Sequence, residues 1–381
     1  MTKPIYATQV KIGEDFIDFG IGQPAMDILP LDIMRQAAEH RLTQGDKLIL
    51  NYGNETGDGR FLHSLADFLT RGYGYPVAAD SLFLTSSASQ ALDMLCTLFT
   101  KPGDTIFVEE PTYFLALLIF GNHDLNVVSL PVDDQGLQID ALEAALAAHQ
   151  PRFIYTIPTF HNPTTVNLSQ ARREKLIGLS QEHQFLILAD EVYQLLHYTA
   201  VPPKPFAAYI EHDTVISIGT FSKILAPGLR LGWLQAAPKL LERFKEFGVV
   251  ESGGSLNHFT SSLVQSVLEL GLQDDYLAFL KQAYQSRIEV MEAGLQAELS
   301  DMLTWTKPDG GFFFWLRLSA GSDAVALRAV ARQHKTGFQP GSAFSSQESL
   351  GDYIRLSFAF YDEEKIGEGI RRLSVALRRN V

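Results

Sequence analysis

The chain is 381 residues long, 46% hydrophobic and 20% charged, with a formal net charge of −13. That length exceeds one ordinary core and predicts two domains, while no apolar run reaches the length of a membrane span. The acidic balance argues against sequence-independent nucleic-acid binding, and the single cysteine, Cys96, excludes a disulfide framework or a cysteine-rich zinc site.

From the N-terminus, Met1–Ile5 lacks the basic-then-apolar pattern of a secretion signal, so the cytosol is the expected location. Seven short apolar or β-branched runs follow, at 81–85, 105–109, 126–130, 153–157, 185–190, 214–218 and 231–235. Between them lie helical patterns at 88–99, 139–148 and 169–184, and Cys96 reads as a small buried residue of the first. This alternation predicts an α/β fold: a mostly parallel seven-stranded sheet sandwiched by helices. In such sheets ligands bind beyond the carboxyl ends of the strands. Ser87–Ser89, Tyr113, Asn162, Asp190 and Thr220–Lys223 each close or follow an apolar run, as that rule requires. After about residue 275 helical segments enclose short strands at 311–318 and 353–359, predicting a smaller α+β domain. The expected division is a large, cofactor-binding domain over 46–275 and a small domain of 1–45 plus 276–381.

The most informative stretch is Gly219-Thr220-Phe221-Ser222-Lys223-Ile224-Leu225-Ala226-Pro227-Gly228-Leu229-Arg230. An amine between hydroxyls, with a guanidinium seven residues on among Gly and Pro, suits a phosphorylated aldehyde held by both ends. Thr220, Ser222 and Arg230 would take the phosphate, and Lys223 would condense with the aldehyde, the layout of a pyridoxal-phosphate (PLP) lysine site. Ser87-Ala88-Ser89 opens a helix whose free N–H groups suit the same phosphate, with no metal needed; an ordinary Ser cap is the plainer alternative. Asp190 ends an apolar run, where its carboxylate would keep the ring nitrogen protonated, unless it or Glu191 merely caps the next element. Tyr193 and Asn162 would reach the ring hydroxyl, and Tyr113 would stack on the ring or fill the core. Once displaced by an incoming amine, Lys223 becomes the base that moves the α-proton. Arg355 lies inside an apolar strand, where it needs either a substrate carboxylate or an internal ion pair.

Together these motifs resemble the fold-type I PLP enzymes, specifically class I/II aminotransferases. The likeness is to the branch of 2-aminoadipate and kynurenine aminotransferases and the aminotransferase-like domains of MocR-type regulators. The matching segments, from 18–24 through 52–57, 87–92, 109–113, 155–164, 190–193 and 219–232 to 308–313 and 353–359, span nearly the whole chain. The resemblance implies Lys223 as the Schiff-base lysine and Asp190 at the ring nitrogen. It puts Asn162 and Tyr193 at the ring hydroxyl and Tyr113 on the ring face. Ala88, Ser89, Thr220, Ser222 and Arg230 surround the phosphate. Arg355 with Asn162 would hold the substrate carboxylate, and Gly22 would lie close to substrate. Tyr52 matches a tyrosine that reaches the partner subunit's phosphate, implying a homodimer with shared active sites. The implied reaction moves an amino group from an α-amino acid to a 2-oxo acid. Another PLP reaction on the same fold, such as β-elimination, decarboxylation or oxidation, is the alternative within enzymes. A non-catalytic amino-acid sensor is the alternative outside them. Three positions depart from the pattern: Thr165 replaces the usual Gly after Asn-Pro-Thr, His161 the frequent Gln before Asn-Pro, and Ser87-Ala88-Ser89 the usual Gly-Ser-Gln.

Overall fold

The computed structural model describes residues 8–10, 13, 15–319, 321–347 and 349–378. The chain forms two compact units, a larger one of Asp27–Gln282 with Asp309–Gly311 and a smaller one of Met1–Met26, Ala283–Pro308 and Phe312–Val381. Among the described residues no helix is long and apolar enough to cross a membrane.

The larger unit is built on an eight-stranded sheet in the order Leu82–Thr85, Gly232–Ala236, Val215–Thr220, Leu186–Asp190, Phe153–Thr156, Thr105–Glu110, Asn126–Asp133 and Gly136–Leu137. The five strands from Val215–Thr220 to Asn126–Asp133 pair in parallel. Gly232–Ala236 runs against both of its neighbours, and Gly136–Leu137 turns back on Asn126–Asp133. Seven strands match the apolar runs. The eighth is a two-residue return after Asp133, too short to leave a pattern of its own.

Both faces of this sheet are covered, which is why its strands are continuously apolar rather than alternating. Side-chain direction still alternates. Ile106, Val108, Phe153, Tyr155 and Leu188 pack on one side with Leu92, Leu95 and Cys96 of the Ala88–Phe99 helix. Phe107, Ile154, Ile187 and Ala189 pack on the other with Leu142, Leu176 and Ile177 of the helices Ile139–Ala148 and Gln170–His183.

The smaller unit holds a four-stranded antiparallel sheet ordered Leu303–Trp305, Phe313–Leu318, Tyr353–Ser357, Gln339–Pro340. Its helices include Ala324–Gln333 and Glu363–Arg378. Gly369 lets the latter close on Phe19, whose ring would overlap any Cβ placed there.

The unit boundaries fall elsewhere than the sequence led us to expect. Residues 27–45 go with the larger unit, because Arg41 of the Leu31–Thr43 helix is buried on the His258–Glu269 helix. There it donates to Ser266 Oγ at 3.0 Å and Glu269 Oε2 at 2.8 Å. A guanidinium taken out of water must keep such partners. The second boundary, after Gln282 rather than residue 275, falls inside the unbroken helix Leu272–Leu299, which has no local breaker to mark it.

Candidate active site

Parallel strands deliver their loops to one edge of the sheet, and the larger unit's candidate groups collect there. Thr85 and Thr220 both lie opposite Gly232, and Asp190 opposite Ile218. Lys223 is half-buried in the turn leaving Thr220. The Thr220 hydroxyl accepts the Ser222 N–H at 3.1 Å and lies 3.0 Å from both Ser222 Oγ and the Leu231 carbonyl. Gln273 donates to the Ile224 carbonyl at 2.8 Å from the other side, so the turn carrying Lys223 is braced on both flanks. Arg230 ends the stretch at φ +47°, a left-handed conformation that most side chains avoid, with its guanidinium exposed. The Asn257 side-chain amide donates to the Leu229 and Arg230 carbonyls and holds that backbone in place.

Ser87, at φ +143°, caps the Ala88–Phe99 helix by accepting the Gln90 N–H at 3.3 Å. The cap reading of this serine therefore holds, while Ala88 and Ser89 form the first helical positions, where N–H groups have no partner within the helix. Tyr113 precedes the Phe114–Asn122 helix and is half-buried. Asn162 is buried in the turn after Phe153–Thr156, a turn closed by His161 N–H to Val166 O at 3.0 Å and Thr165 N–H to His161 O at 2.6 Å. Tyr193 is buried in the turn after Asp190. Tyr52 is 83% exposed.

The two adjacent acids resolve into different roles. Glu191 is the cap: it accepts from Phe206 N–H at 2.7 Å, Ala207 N–H at 3.1 Å and Ser217 hydroxyl at 2.7 Å, with the fully buried Arg173 at 3.6 Å. Burial raises its pKa, and burial also pulls that of Arg173 down to about 10. Asp190, 5% exposed, accepts one hydrogen bond, from the Tyr155 hydroxyl to Oδ2 at 2.7 Å. Its Oδ1 is buried with no hydrogen-bond partner. Burial pushes its pKa up to about 6, against the pull of the Tyr155 hydroxyl, the Val192 N–H and the Lys223 ammonium. A sealed, underprovided carboxylate is costly unless a cation meets it. A protonated ring nitrogen fits that place, so the donor set suits PLP.

In the smaller unit Arg355 is buried, with its guanidinium 4.0 Å from the Phe313 ring centre and 4.8 Å from that of Phe344, and Nη2 donating to Gly20 O at 2.9 Å. A Cβ on Gly22 would lie 3.0 Å from Phe313 Cζ and 3.7 Å from Arg355 Nη2, so Gly22 and Arg355 belong to one local group. Sequence reasoning missed Tyr155, Gln273, Asn257 and the part played by Glu109, whose partners all lie well away in the sequence. Only Tyr155 left a signal: it shares a sheet face with Asp190 once Tyr155 is set opposite Leu188.

Residues 14–373 match the family model "Aminotransferase class I and II". The chain is 33% identical to aromatic-amino-acid aminotransferase 1 of Thermococcus litoralis, covering 96% of this chain and 89% of that protein. It is 29% identical to the 2-aminoadipate transaminase of Thermus thermophilus, over 95% and 90%. Among solved structures, the kynurenine aminotransferase of Pyrococcus horikoshii, in complex with PMP, superposes with a TM-score of 0.90 at 30% identity, covering 97% of this chain and 92% of that one. The sheet order, the lysine turn and the unmatched acid thus meet a family match over nearly the whole chain, and the protein belongs to the class I and II aminotransferases, enzymes of transamination that use PLP.

Proposed function

We propose that the protein transfers the amino group of large, preferentially aromatic α-amino acids to a 2-oxo acid. The observation that carries the cofactor reading is Asp190 Oδ1, buried at a strand end without a partner. PLP, when bound, supplies an electron sink that stabilises charge developing at the substrate α-carbon. The rest is done by the chain. Lys223 would anchor the cofactor and then, as a free amine, take the substrate α-proton and return it two atoms away, at the former aldehyde carbon. Asp190 keeps the ring cationic, Asn162 and Tyr193 serve its hydroxyl, and Tyr113 covers its face. Ala88, Ser89, Thr220, Ser222 and Arg230 hold the phosphate. Arg355 takes the substrate carboxylate, with Gly22 leaving room beside it. Support for an aromatic donor comes from the Phe313 and Phe344 rings around Arg355 and from the names of the relatives above.

The exposure of Tyr52 supports its proposed role at the phosphate of a second copy, in a homodimer with shared active sites. A cytosolic setting is part of the same proposal.

A single turnover tests the reaction. Phenylalanine added to the PLP-loaded protein should bleach the visible band and release one equivalent of phenylpyruvate. Ammonia release, or an unchanged band, would overturn it. A panel of phenylalanine, kynurenine, 2-aminoadipate and aspartate against 2-oxoglutarate and pyruvate tests donor class; preference for aspartate would refute the aromatic assignment.

A further inference from the structure

Asp190 and Glu191 are neighbours in sequence and equally sealed, yet they are held differently. Glu191 has donors on both oxygens, whereas Asp190 has Tyr155 on Oδ2 and nothing on Oδ1. Tyr155 belongs to the adjacent strand, opposite Leu188, so its ring runs along the sheet face toward the edge where Asp190 sits. It is completely buried, with the Phe120 ring edge-on at 5.5 Å, so the phenol has no room to swing aside. Burial raises its pKa well above the ordinary value, so it stays a donor at every working pH. A carboxylate is twofold about its last torsion, which is broad, so nothing in Asp190 itself selects the oxygen that faces a ligand. The Tyr155 hydroxyl at 2.7 Å, with the weaker pull of the Val192 N–H beside it, breaks that symmetry.

We propose that Tyr155 is the positioning residue for Asp190: by holding Oδ2 it aims Oδ1, the one open acceptor, at the ring nitrogen of the cofactor and keeps the carboxylate the anionic member of that pair. This rests on the assignment of Asp190 to the ring nitrogen. A donor to a carboxylate favours its charged form. Without it Asp190 becomes more basic, the proton shared with the ring drifts toward the acid, and the ring loses the charge that makes it an electron sink. The defect then falls on the chemical step, because Tyr155 has no part in holding the substrate carboxylate.

The test compares Tyr155→Phe, Asp190→Ala and the double variant as full-length proteins. The readouts are PLP affinity of the cofactor-free form by fluorescence, the pH midpoint of the visible band, and kcat and KM for the amino donor. Tyr155→Phe removes one oxygen and keeps the ring, so folding should survive. We expect PLP to bind roughly tenfold more weakly and the midpoint to rise by about one pH unit. We expect kcat to fall about 10- to 100-fold with KM nearly unchanged. The double variant should be no worse than Asp190→Ala, because the phenol acts through the acid. An unmoved midpoint in Tyr155→Phe overturns the proposal even if kcat drops, since lost packing alone would do that. If Asp190→Ala itself binds PLP and titrates like the parent, the ring-nitrogen assignment has failed instead.

Discussion

His161 Nε2 stands 3.1 Å from Glu109 Oε2, with each residue only 1% exposed. Thr164 N–H points at His161 Nδ1 from 3.3 Å, so the ring proton belongs on Nε2, facing the carboxylate. Glu109 also accepts the Thr156 hydroxyl at 2.7 Å and the Ile157 N–H at 2.9 Å. His161 thus links the Thr105–Glu110 strand to the turn that carries Asn162. Removing the acid leaves two buried donors, the Thr156 hydroxyl and the Ile157 N–H, unmet and strips the His161 ring of its charged neighbour. Glu109→Ala should therefore cost about 3–5 kcal/mol in urea unfolding, and Glu109→Gln clearly less. Equal and small losses for both would show that the carboxylate is not a hub.

Cofactor-free protein should be stabilised by acid through Asp190. Its folded pKa of about 6 lies above the unfolded value of 3.8, so between those values the folded state binds more protons and stability falls as pH rises. The penalty is complete above pH 6 and on the order of 3 kcal/mol. Cofactor-free Asp190→Asn should accordingly melt higher than the parent at pH 8, with the gap closing toward pH 4. A gap independent of pH would remove Asp190 as its source.

Gly22→Ala should act on substrate and not on cofactor. The new methyl would press on Phe313, a flexible ring edge 3.0 Å away, and come within 3.7 Å of Arg355 Nη2. KM for the donor should rise roughly tenfold, with the visible spectrum and PLP affinity unchanged. A changed spectrum with parental KM would contradict the assignment.

Thr165 adopts φ +68°, where a β-branched residue is strained. Thr165→Gly removes about 1–2 kcal/mol of that strain and returns part of it as lost chain entropy. The net expectation is a gain of about 0.5–1 kcal/mol, read as a higher melting temperature, with the Thr165 N–H to His161 O bond retained. Destabilisation would mean that the threonine side chain contributes more than its backbone costs.

Lys223→Ala should abolish the visible band of the bound cofactor and lower single-turnover rates by about a thousandfold or more, since both anchor and proton carrier are lost. Turnover near the parent level would end the assignment of Lys223.

How much of this was legible in the sequence follows from how local each signal is. The seven main strands are recorded in runs of adjacent apolar residues; six are found within a residue or two of where they were expected, and the run at 126–130 extends to Asp133. The helix expected over 169–184 forms as Gln170–His183, and the one expected from 276 starts earlier, in Leu272–Leu299. Lys223, Asp190 and Arg355 stood out because amine, acid and guanidinium interrupt apolar or glycine-rich surroundings. Tyr155 and Glu109 did not, because a tyrosine or an acid near a strand end gains its meaning only from the neighbouring strand's register. The first unit boundary was missed for the same reason: Arg41 declares its allegiance through Ser266 and Glu269, more than two hundred residues away.

Lys223 and Asp190 belong to one compact unit, and Gly22 and Arg355 to the other. Under the roles proposed above for these residues, selection could retune which amino acid is accepted by altering one body of the chain while the proton-moving apparatus stays under separate constraint. Exchanging Phe312–Val381 between relatives of different appetite would be a practical route to altered substrate choice in biocatalysis, with the B6 chemistry inherited intact.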